Sequence, residues 1–314
     1  MFTKIKPFLP FIGALIIYLN YYLTPTNNTA VLTPVYPIVV AAYLVFYVIH
    51  YCIARRNPEK LQKLLKANTR TFVTMMLLVL WDIVTYKAAL LPMPFFPWID
   101  KILNVFIADW SILGISVLYS LRLLLLGYII GGAIGTLMGI WIGWSAKANF
   151  WVFPAIRIIG PIPAVAWIPI VLMLAPTTLA GSVFLIALAV WFPTTLMTMS
   201  GVSGVRNAYF EVARTLGASE RSLIFKVAFP AALPSIFLGL FQGIGVACVT
   251  LISAEMIGVK AGIGWYISNS TGWAEYNKVF AGIILILITF TVVITLIFKV
   301  RDKFLSWQKG VIKW

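Results

Sequence analysis

Charged residues are scarce in this sequence. Of its 314 residues, 61% are hydrophobic and only 11% are charged, whereas soluble domains carry about 25% charged residues. Such a chain lacks the polar surface of a soluble protein. It holds instead several apolar runs of the length that transmembrane helices need, about 20 residues each. The sequence therefore predicts an all-α polytopic membrane protein, and no alternating pattern suggests a barrel.

Residues that carry catalytic or metal chemistry are also few. The chain has one histidine, His50, and two cysteines, Cys52 and Cys248, which both fall in apolar runs. These exclude a disulfide framework and any Cys/His metal spacing. The G-x-x-x-x-G-K-[ST] phosphate loop is absent as well, so this chain does not hydrolyse ATP by that route. We expect no catalytic residue, no metal and no cofactor on this chain, and an integral-membrane enzyme is disfavoured.

The apolar residues group into eight runs, which we interpret as eight membrane spans. They cover residues 8–23, 34–53, 71–91, 118–144, 154–174, 178–200, 233–257 and 279–300. Lys4 and Lys6 precede the first run, as in a signal peptide, but no small-x-small cleavage site follows. We therefore expect a retained helix.

The placement of the basic residues predicts the orientation. With a cytoplasmic N-terminus, 18 of the 24 basic residues fall on inner segments and three on outer ones, as the positive-inside rule requires. This predicts that both termini are cytoplasmic. It also explains the net charge of +15 without a nucleic-acid partner. A basic, helix-prone stretch at 54–70 separates an N-terminal pair of spans (residues 1–70) from a second domain (residues 71–314).

Glycine recurs at every fourth position in one span, at Gly127, Gly131, Gly135, Gly139 and Gly143. This spacing lines one helix face with no side chains, so another helix backbone can approach closely. The partner is either another span of this chain or a second subunit.

Prolines crowd the following span, at Pro154, Pro161, Pro163, Pro169 and Pro176. Each interior proline removes a backbone donor and kinks or breaks a helix. Irregular backbone at membrane depth is tolerated where it is buried in protein or lines a water-filled cavity. The segment, which includes Trp167, is therefore either part of a translocation pathway or kinked for packing alone.

Ionisable residues lie in or near the spans at Asp82, Lys87, Arg122, Arg157 and Glu255. A charge at the bilayer centre costs about 2.5–3.5 kcal/mol on insertion scales, so it normally faces protein or water. Arg122 and Glu255 lie at similar depths towards the outer side. We expect them to pair, with attraction of an anionic substrate by Arg122 as the alternative. Asp82 and Lys87 are a weaker candidate pair.

A charged, helix-favouring segment lies at residues 206–230, between apolar runs and on the predicted cytoplasmic side. Gly217 suits the left-handed end of a first helix. Ser219 then caps a second helix, with Glu220 in its first turn. We expect Pro230 to end that helix and Pro234 to lie in the first turn of the next span. The result is a rigid helix–turn–helix tied to the following span.

The same segment resembles the EAA loop of ABC importer permeases. The resemblance rests on Glu211-Val212-Ala213, on Gly217 after three residues, and on Val227-Ala228-Phe229-Pro230 after nine more. Further stretches resemble the branch for nitrate, bicarbonate, sulfonates such as taurine, and thiamine-precursor pyrimidines: LLPMPFFPWIDKIL, SLRLLLLGY, PIPAVAWIPIVLM, SAEMIGVKAGIGWYI and RDKFLSWQKG. The resemblance covers residues 71–310. Gln242 stands where this branch usually carries arginine, and Cys248 where it often carries tryptophan.

The resemblance implies a type I ABC importer permease in the inner (plasma) membrane. Its expected partners are a second permease copy, separate cytoplasmic ATPase subunits that bind the ATP, and an extracytoplasmic solute-binding protein. The implied ATPase-coupling residues are Glu211, Ala213, Arg214, Gly217, Ser219, Glu220 and Arg221. The candidates for the translocation pathway are Arg122, Pro161, Pro163, Trp167, Gln242 and Glu255.

Three substrate and energy hypotheses stay open at this point. The first is import of a small anion of the nitrate, sulfonate, taurine or bicarbonate type, although Gln242 in place of arginine weakens it. The second is import of a neutral or cationic heterocycle such as a thiamine-precursor pyrimidine. The third is an ion-gradient-driven secondary transporter, which would need an internal repeat and midplane carboxylates. We found no such repeat.

Overall fold

The computed structural model describes residues 5–26, 32–91 and 93–306, and every regular element in these ranges is helical. Within these ranges six helices are long and apolar enough to cross a membrane, or seven if one bent pair counts as a span. The chain is therefore a multi-pass, all-α membrane protein, as predicted. The first predicted span is a helix of only 15 residues, about 22 Å long, whereas the hydrocarbon core is about 30 Å thick. The predicted count of eight spans is not confirmed.

The described residues form two compact units. The first comprises those of Met1–Ser111 together with Asn269–Ala281. Its first elements are, in chain order, α1 (Leu9–Leu23), α2 (Val35–Ala54), α3 (Pro58–Asp82), a π-helical turn (Ile83–Lys87) and α4 (Ile99–Ala108). Apolar side chains of all four helices form one core, namely Ala14, Ile17, Tyr21, Tyr36, Val40, Met75, Val79 and Ile99.

Helix α3 begins at a capped end, where the Asn57 side chain accepts hydrogen bonds from the N–H groups of Glu59 and Lys60. Such a cap satisfies N–H groups that a helix start leaves unpaired. From there α3 runs without interruption to Asp82. The predicted domain boundary at residue 70 thus falls inside a continuous helix, and the compact units divide after Ser111.

Buried polar groups connect the helices of the first unit. The Asn20 amide donates to the Asp82 carboxylate at 2.8 Å. Lys87 donates to the backbone oxygens of Tyr21 and Thr24, at 2.9 and 3.0 Å. No ion pair joins Asp82 to Lys87 within the described ranges: Lys87 donates to α1 and the residue after it, while the Asp82 Oδ1 has no hydrogen-bond partner among the described residues. The weaker of the two predicted pairs is therefore not formed.

The second unit comprises the described residues of Ile112–Ser268 and Gly282–Trp314. The elements from α5 onwards are α5 (Trp110–Trp144), α6 (Ala146–Ile159), a 3₁₀ turn (Ala164–Trp167), α7 (Ile168–Leu174), α8 (Thr178–Ser203), α9 (Asn207–Thr215), α10 (Glu220–Ser222), a π-helical segment (Leu223–Ala228), α11 (Phe229–Gly258), α12 (Ile263–Gly272) and α13 (Tyr276–Phe304). In the most apolar 18-residue stretch of α8, 50% is buried inside the protein, against 22% in the corresponding stretch of α13. Helix α8 is therefore the central helix of this unit.

The glycine row of α5 faces α8. A Cβ atom on Gly135 would lie 2.8 Å from the backbone oxygen of Trp191, and one on Gly143 would lie 2.8 Å from that of Met199. Because glycine has no side chain, the two backbones meet directly, as small residues allow in membranes. Gly239 of α11 approaches α8 in the same way. The row therefore packs against another helix of the same chain.

Candidate functional site

The charged segment at 206–230 contains a helix that ends in a glycine turn. Helix α9 stops before Gly217, which has φ +80°. The Gly217 N–H donates to the Arg214 oxygen at 2.9 Å, and the Ala218 N–H donates to the Ala213 oxygen at 3.0 Å. These two bonds form a Schellman motif, which satisfies the last carbonyls of a helix. The predicted left-handed glycine is confirmed.

The next helix starts at the predicted cap. The Ser219 hydroxyl accepts a hydrogen bond from the Ser222 N–H at 3.4 Å, and Glu220 lies in the first turn. Glu220 also lies 3.4 Å from the Arg214 guanidinium. Both side chains of this pair are more than half exposed, so the pair stabilises the turn by about 1 kcal/mol at most. The turn is held mainly by its backbone bonds.

Pro230 does not end the second helix, and that prediction was wrong. The helix passes through the π-helical segment into α11, giving one apolar helix over Glu220–Ile257. The π-helical segment explains the continuation. Its i→i+5 hydrogen bonds replace the usual α-helical ones in the turn before Pro230, where the missing N–H of the proline would otherwise interrupt the helix. Pro234 lies inside α11 rather than in the first turn of a new span. The link between the charged segment and the membrane is thus a single helix.

An aromatic contact and an apolar cluster fix α9 to the membrane helices. The Phe210 ring meets the Trp144 ring edge-on, with centroids 5.4 Å apart. Both rings pack against a buried cluster formed by Val202, Ala228, Ala232 and Ile236. The inner side of α9 is therefore held by the ends of α5, α8 and α11.

The predicted coupling residues lie on the exposed side of this segment. A groove of about 570 Å³ runs beside it, and its walls include Glu211, Arg214 and Glu220. Arg221 is exposed, and Ala213 is half-buried. The segment thus offers an uneven, charged surface on a rigid support, which suits docking to another protein.

The proline-rich run forms a broken helix. Helix α6 and the segment Ala164–Leu174 meet at an angle of 82°. Pro161 and Pro163 lie at the break and have no N–H to donate. Gly160 precedes them, and the ring of Phe192 packs so closely on it that a side chain at position 160 would overlap the ring. The predicted interruption is confirmed.

A cavity of about 340 Å³ lies at the break. Four of the six predicted pathway residues line it, namely Pro161, Pro163, Trp167 and Gln242. The other walls are mostly apolar and include Phe192 of α8. The Gln242 side chain is exposed and makes no hydrogen bond to any described residue. Its amide is therefore available to a solute in the cavity.

Glu255, the fifth predicted residue, occupies a different and fully buried site. Its Oε1 accepts from the Ser120 hydroxyl at 2.7 Å, and its Oε2 accepts from the Gly264 N–H at 2.8 Å. The Ser120 Oγ in turn accepts from the Ile263 N–H at 2.9 Å. Ile263 and Gly264 begin α12, where N–H groups lack partners within the helix. The carboxylate and the hydroxyl therefore cap α12 from two other helices.

The expected pairing of Arg122 with Glu255 was wrong. Arg122 is exposed, and it takes part in no ion pair or hydrogen bond with the part of the chain that the structure describes. The reason is helix geometry. Residues two positions apart project about 200° apart, so α5 turns Arg122 away when Ser120 faces Glu255. Arg122 does not line the cavity either.

Sequence reasoning missed the partners of Glu255. Ser120 is a polar residue in an apolar span, and Gly262 and Gly264 form a short glycine pattern at the start of α12. Gly262 has φ +130°, and a Cβ atom there would lie 2.5 Å from the Glu255 Cδ. These are the signals that point to the site. Across the described ranges, no three His, Cys, Asp or Glu residues cluster as metal ligands would.

Membrane-crossing helices, a cavity at a broken helix and an exposed charged segment define a polytopic membrane transport protein. A family model described as "Binding-protein-dependent transport system inner membrane component" matches residues 131–306. Because this match covers more than half of the chain, the protein belongs to that family of ABC transport permeases. Members of the family are transport subunits rather than enzymes, and they work in import systems with an ATPase and a substrate-binding partner.

Several similar proteins carry names that include a substrate. One named as an aliphatic sulfonates transport permease in Bacillus subtilis (strain 168) is 32% identical, over 59% of this chain and 67% of that protein. A nitrate import permease of Synechococcus elongatus is 30% identical, over 52% of this chain and 57% of its own. The taurine transport system permease of Escherichia coli (strain K12) is 31% identical, over 49% and 56%.

Proposed function

We propose that this permease carries a small anion of the nitrate, sulfonate, taurine or bicarbonate type into the cell. Similar proteins are named for sulfonates, nitrate and taurine, which supports this class of substrate. The cavity at the broken helix is the candidate pathway. There the amide of Gln242 offers N–H donors to an oxyanion. Among the described residues that line the cavity none is a lysine or arginine, which would keep binding weak enough for release.

The observation that carries the transport mechanism is the single helix that joins the charged segment to the membrane. Helix α9 is locked to this helix by the Gly217 turn and to the membrane helices by Phe210. A displacement of the exposed surface is then transmitted to α11, whose residue Gln242 lines the cavity. Docking of an ATPase on this surface would drive access to the cavity from alternate sides.

The proposed assembly follows from this mechanism. Two copies of the chain form a homodimeric pathway in the plasma membrane, and a separate cytoplasmic ATPase, which binds the ATP, docks on each copy. An extracytoplasmic binding protein delivers the substrate. The residues proposed to receive the ATPase are Glu211, Ala213, Arg214, Gly217, Ser219, Glu220 and Arg221.

Reconstitution tests the substrate class and the energy source together. Proteoliposomes would contain this chain, the ATPase and the binding protein from the same system. We expect uptake of labelled sulfonate, taurine, nitrate or bicarbonate that requires ATP inside the vesicle. Uptake driven by an ion gradient without the ATPase would contradict the proposal, and so would ATP-dependent uptake of pyrimidines alone.

A substitution at Gly217 tests the coupling role separately. Gly217→Pro forces φ to about −65° and removes an N–H donor, whereas this position has φ +80° and its N–H is bonded. We expect normal membrane insertion but loss of both transport and ATPase copurification. Gly217→Asn is the matched control, because asparagine tolerates the left-handed conformation. Full ATPase association in the proline variant would contradict the role.

A further inference from the structure

We propose that α3 carries a binding face for anionic phospholipids. This basic face consists of Lys60, Lys63, Lys66 and Arg70, in the first four turns of the helix. It belongs to the first compact unit, outside the residues 131–306 that match the permease family. The proposal therefore gives the N-terminal unit a role of its own, independent of the substrate.

The four cations lie on one side of the helix. At about 100° per residue, positions 60, 63, 66 and 70 fall within an arc of about 120°. All four side chains are exposed. None of them forms an ion pair within the described ranges. Glu59 projects in the same arc and is also exposed, so four cations and one carboxylate leave the face with a net positive charge.

The opposite side of α3 is fixed in the unit, so the basic face has a defined direction. Asn68 is buried, and its amide donates to the Tyr47 hydroxyl at 2.8 Å and to the Lys6 backbone oxygen at 3.0 Å. Further along, Met75 and Val79 pack into the core. These contacts prevent α3 from turning the cations inward.

The same face becomes apolar where the cations end. Leu77 and Leu78 lie within the same arc, with exposed fractions of 60% and 37%, and Val73, 52% exposed, lies about 20° from its edge. Large aliphatic side chains at that exposure are covered by lipid tails in a membrane protein. A cationic stretch followed on one face by an aliphatic stretch matches a lipid headgroup followed by its acyl chains.

The length of the helix agrees with this placement. From Pro58 to Lys87 the helix has 30 residues, about 45 Å, whereas the hydrocarbon core is about 30 Å thick. About ten residues, 58–67, therefore extend beyond the core, and they carry Lys60, Lys63 and Lys66. Arg70 lies about one turn further along, where a long arginine side chain can extend to the interface. A continuous aliphatic face favours a lipid over nucleic acid or an acidic protein.

Native mass spectrometry of the full chain tests the proposal directly. The purified protein would be placed in micelles with equal amounts of phosphatidylglycerol and phosphatidylcholine. We expect it to retain phosphatidylglycerol preferentially. Because each cation near an anionic surface contributes about a fivefold factor, the variant with Lys60→Gln, Lys63→Gln, Lys66→Gln and Arg70→Gln should lose the preference by on the order of tenfold or more.

A matched control also replaces three lysines and one arginine by glutamine, but at other exposed positions: Lys147, Arg157, Lys299 and Lys303. This control should keep the preference. Equal loss in both variants, or no loss in either, overturns the proposal. A salt titration of the unaltered protein is independent of variant folding. Raising salt from 0.1 to 1 M shortens the screening length from about 10 to 3 Å, so a preference unchanged at 1 M also overturns it.

Discussion

The contact between the α5 glycine row and α8 yields a sharp prediction for Gly139→Ala. A Cβ atom at this position would lie 2.5 Å from the Thr198 Cβ and 2.7 Å from the Thr195 backbone oxygen. Ordinary contacts of this kind are more than 3.4 Å long, so the two helices must separate by about 1 Å. Forcing one extra methyl into a packed core costs about 1–3 kcal/mol.

The same helix provides the matched control. Gly114 also lies within α5, and a Cβ atom there meets no described atom within 4 Å. Alanine is favoured over glycine in a helix interior by about 0.5–1 kcal/mol, so Gly114→Ala should be neutral or stabilising. The chemical change is identical in both variants. The gain in helix propensity is common to both and cancels, so their difference, about 1–3 kcal/mol, reports the helix contact alone.

Thermal unfolding of the purified protein in detergent measures this difference. Both variants would be followed by the loss of monodisperse protein on size-exclusion chromatography after heating. We expect Gly139→Ala to lose its monodisperse fraction at a lower temperature than the unaltered protein. For Gly114→Ala this temperature should equal or exceed that of the unaltered protein. If Gly139→Ala were as stable as Gly114→Ala, the close packing of α5 on α8 would be refuted.

Three further substitutions test the sites. Glu255→Leu leaves the Gly264 N–H and the Ser120 hydroxyl without their acceptor, at about 1–3 kcal/mol for each unsatisfied group. It should therefore unfold at a lower temperature than Glu255→Gln, which keeps one acceptor oxygen, and equal temperatures would contradict the capping role. Gln242→Leu should slow solute uptake in proteoliposomes at unchanged thermal stability, because the amide is exposed in the cavity; unchanged uptake would exclude it from the pathway. Glu220→Ala should weaken ATPase copurification with little effect on unfolding, since its ion pair is solvent-exposed; retained copurification would remove this residue from the docking surface.

Much of the helical layout could be predicted from the sequence, because apolar runs and helix caps are local signals. The glycine turn at Gly217 and the cap at Ser219 are of this kind, since each depends on a few neighbouring residues. The break at Pro161 and Pro163 could be predicted for the same reason. So could the four-residue glycine spacing, although only the structure identifies α8 as its partner.

Other features depend on which side of a helix a residue occupies, and the depth of the residue in the membrane does not determine that side. Arg122 and Glu255 lie at similar depths, yet α5 turns Ser120 rather than Arg122 towards the carboxylate. The wrong prediction that Pro230 ends a helix has another cause. A proline normally ends a helix, but the π-helical segment before it absorbs the disruption, and such segments have no clear local signal.

The helix over Glu220–Ile257 has consequences for how far a small movement reaches. Its 38 residues are about 57 Å long, with the proposed docking surface at one end and the buried Glu255 carboxylate near the other. A tilt of about 10° around one end would swing the opposite end by about 10 Å. If the proposed ATPase displaces one end of this helix, the displacement would therefore also reach the Glu255 carboxylate that caps α12 near the other end.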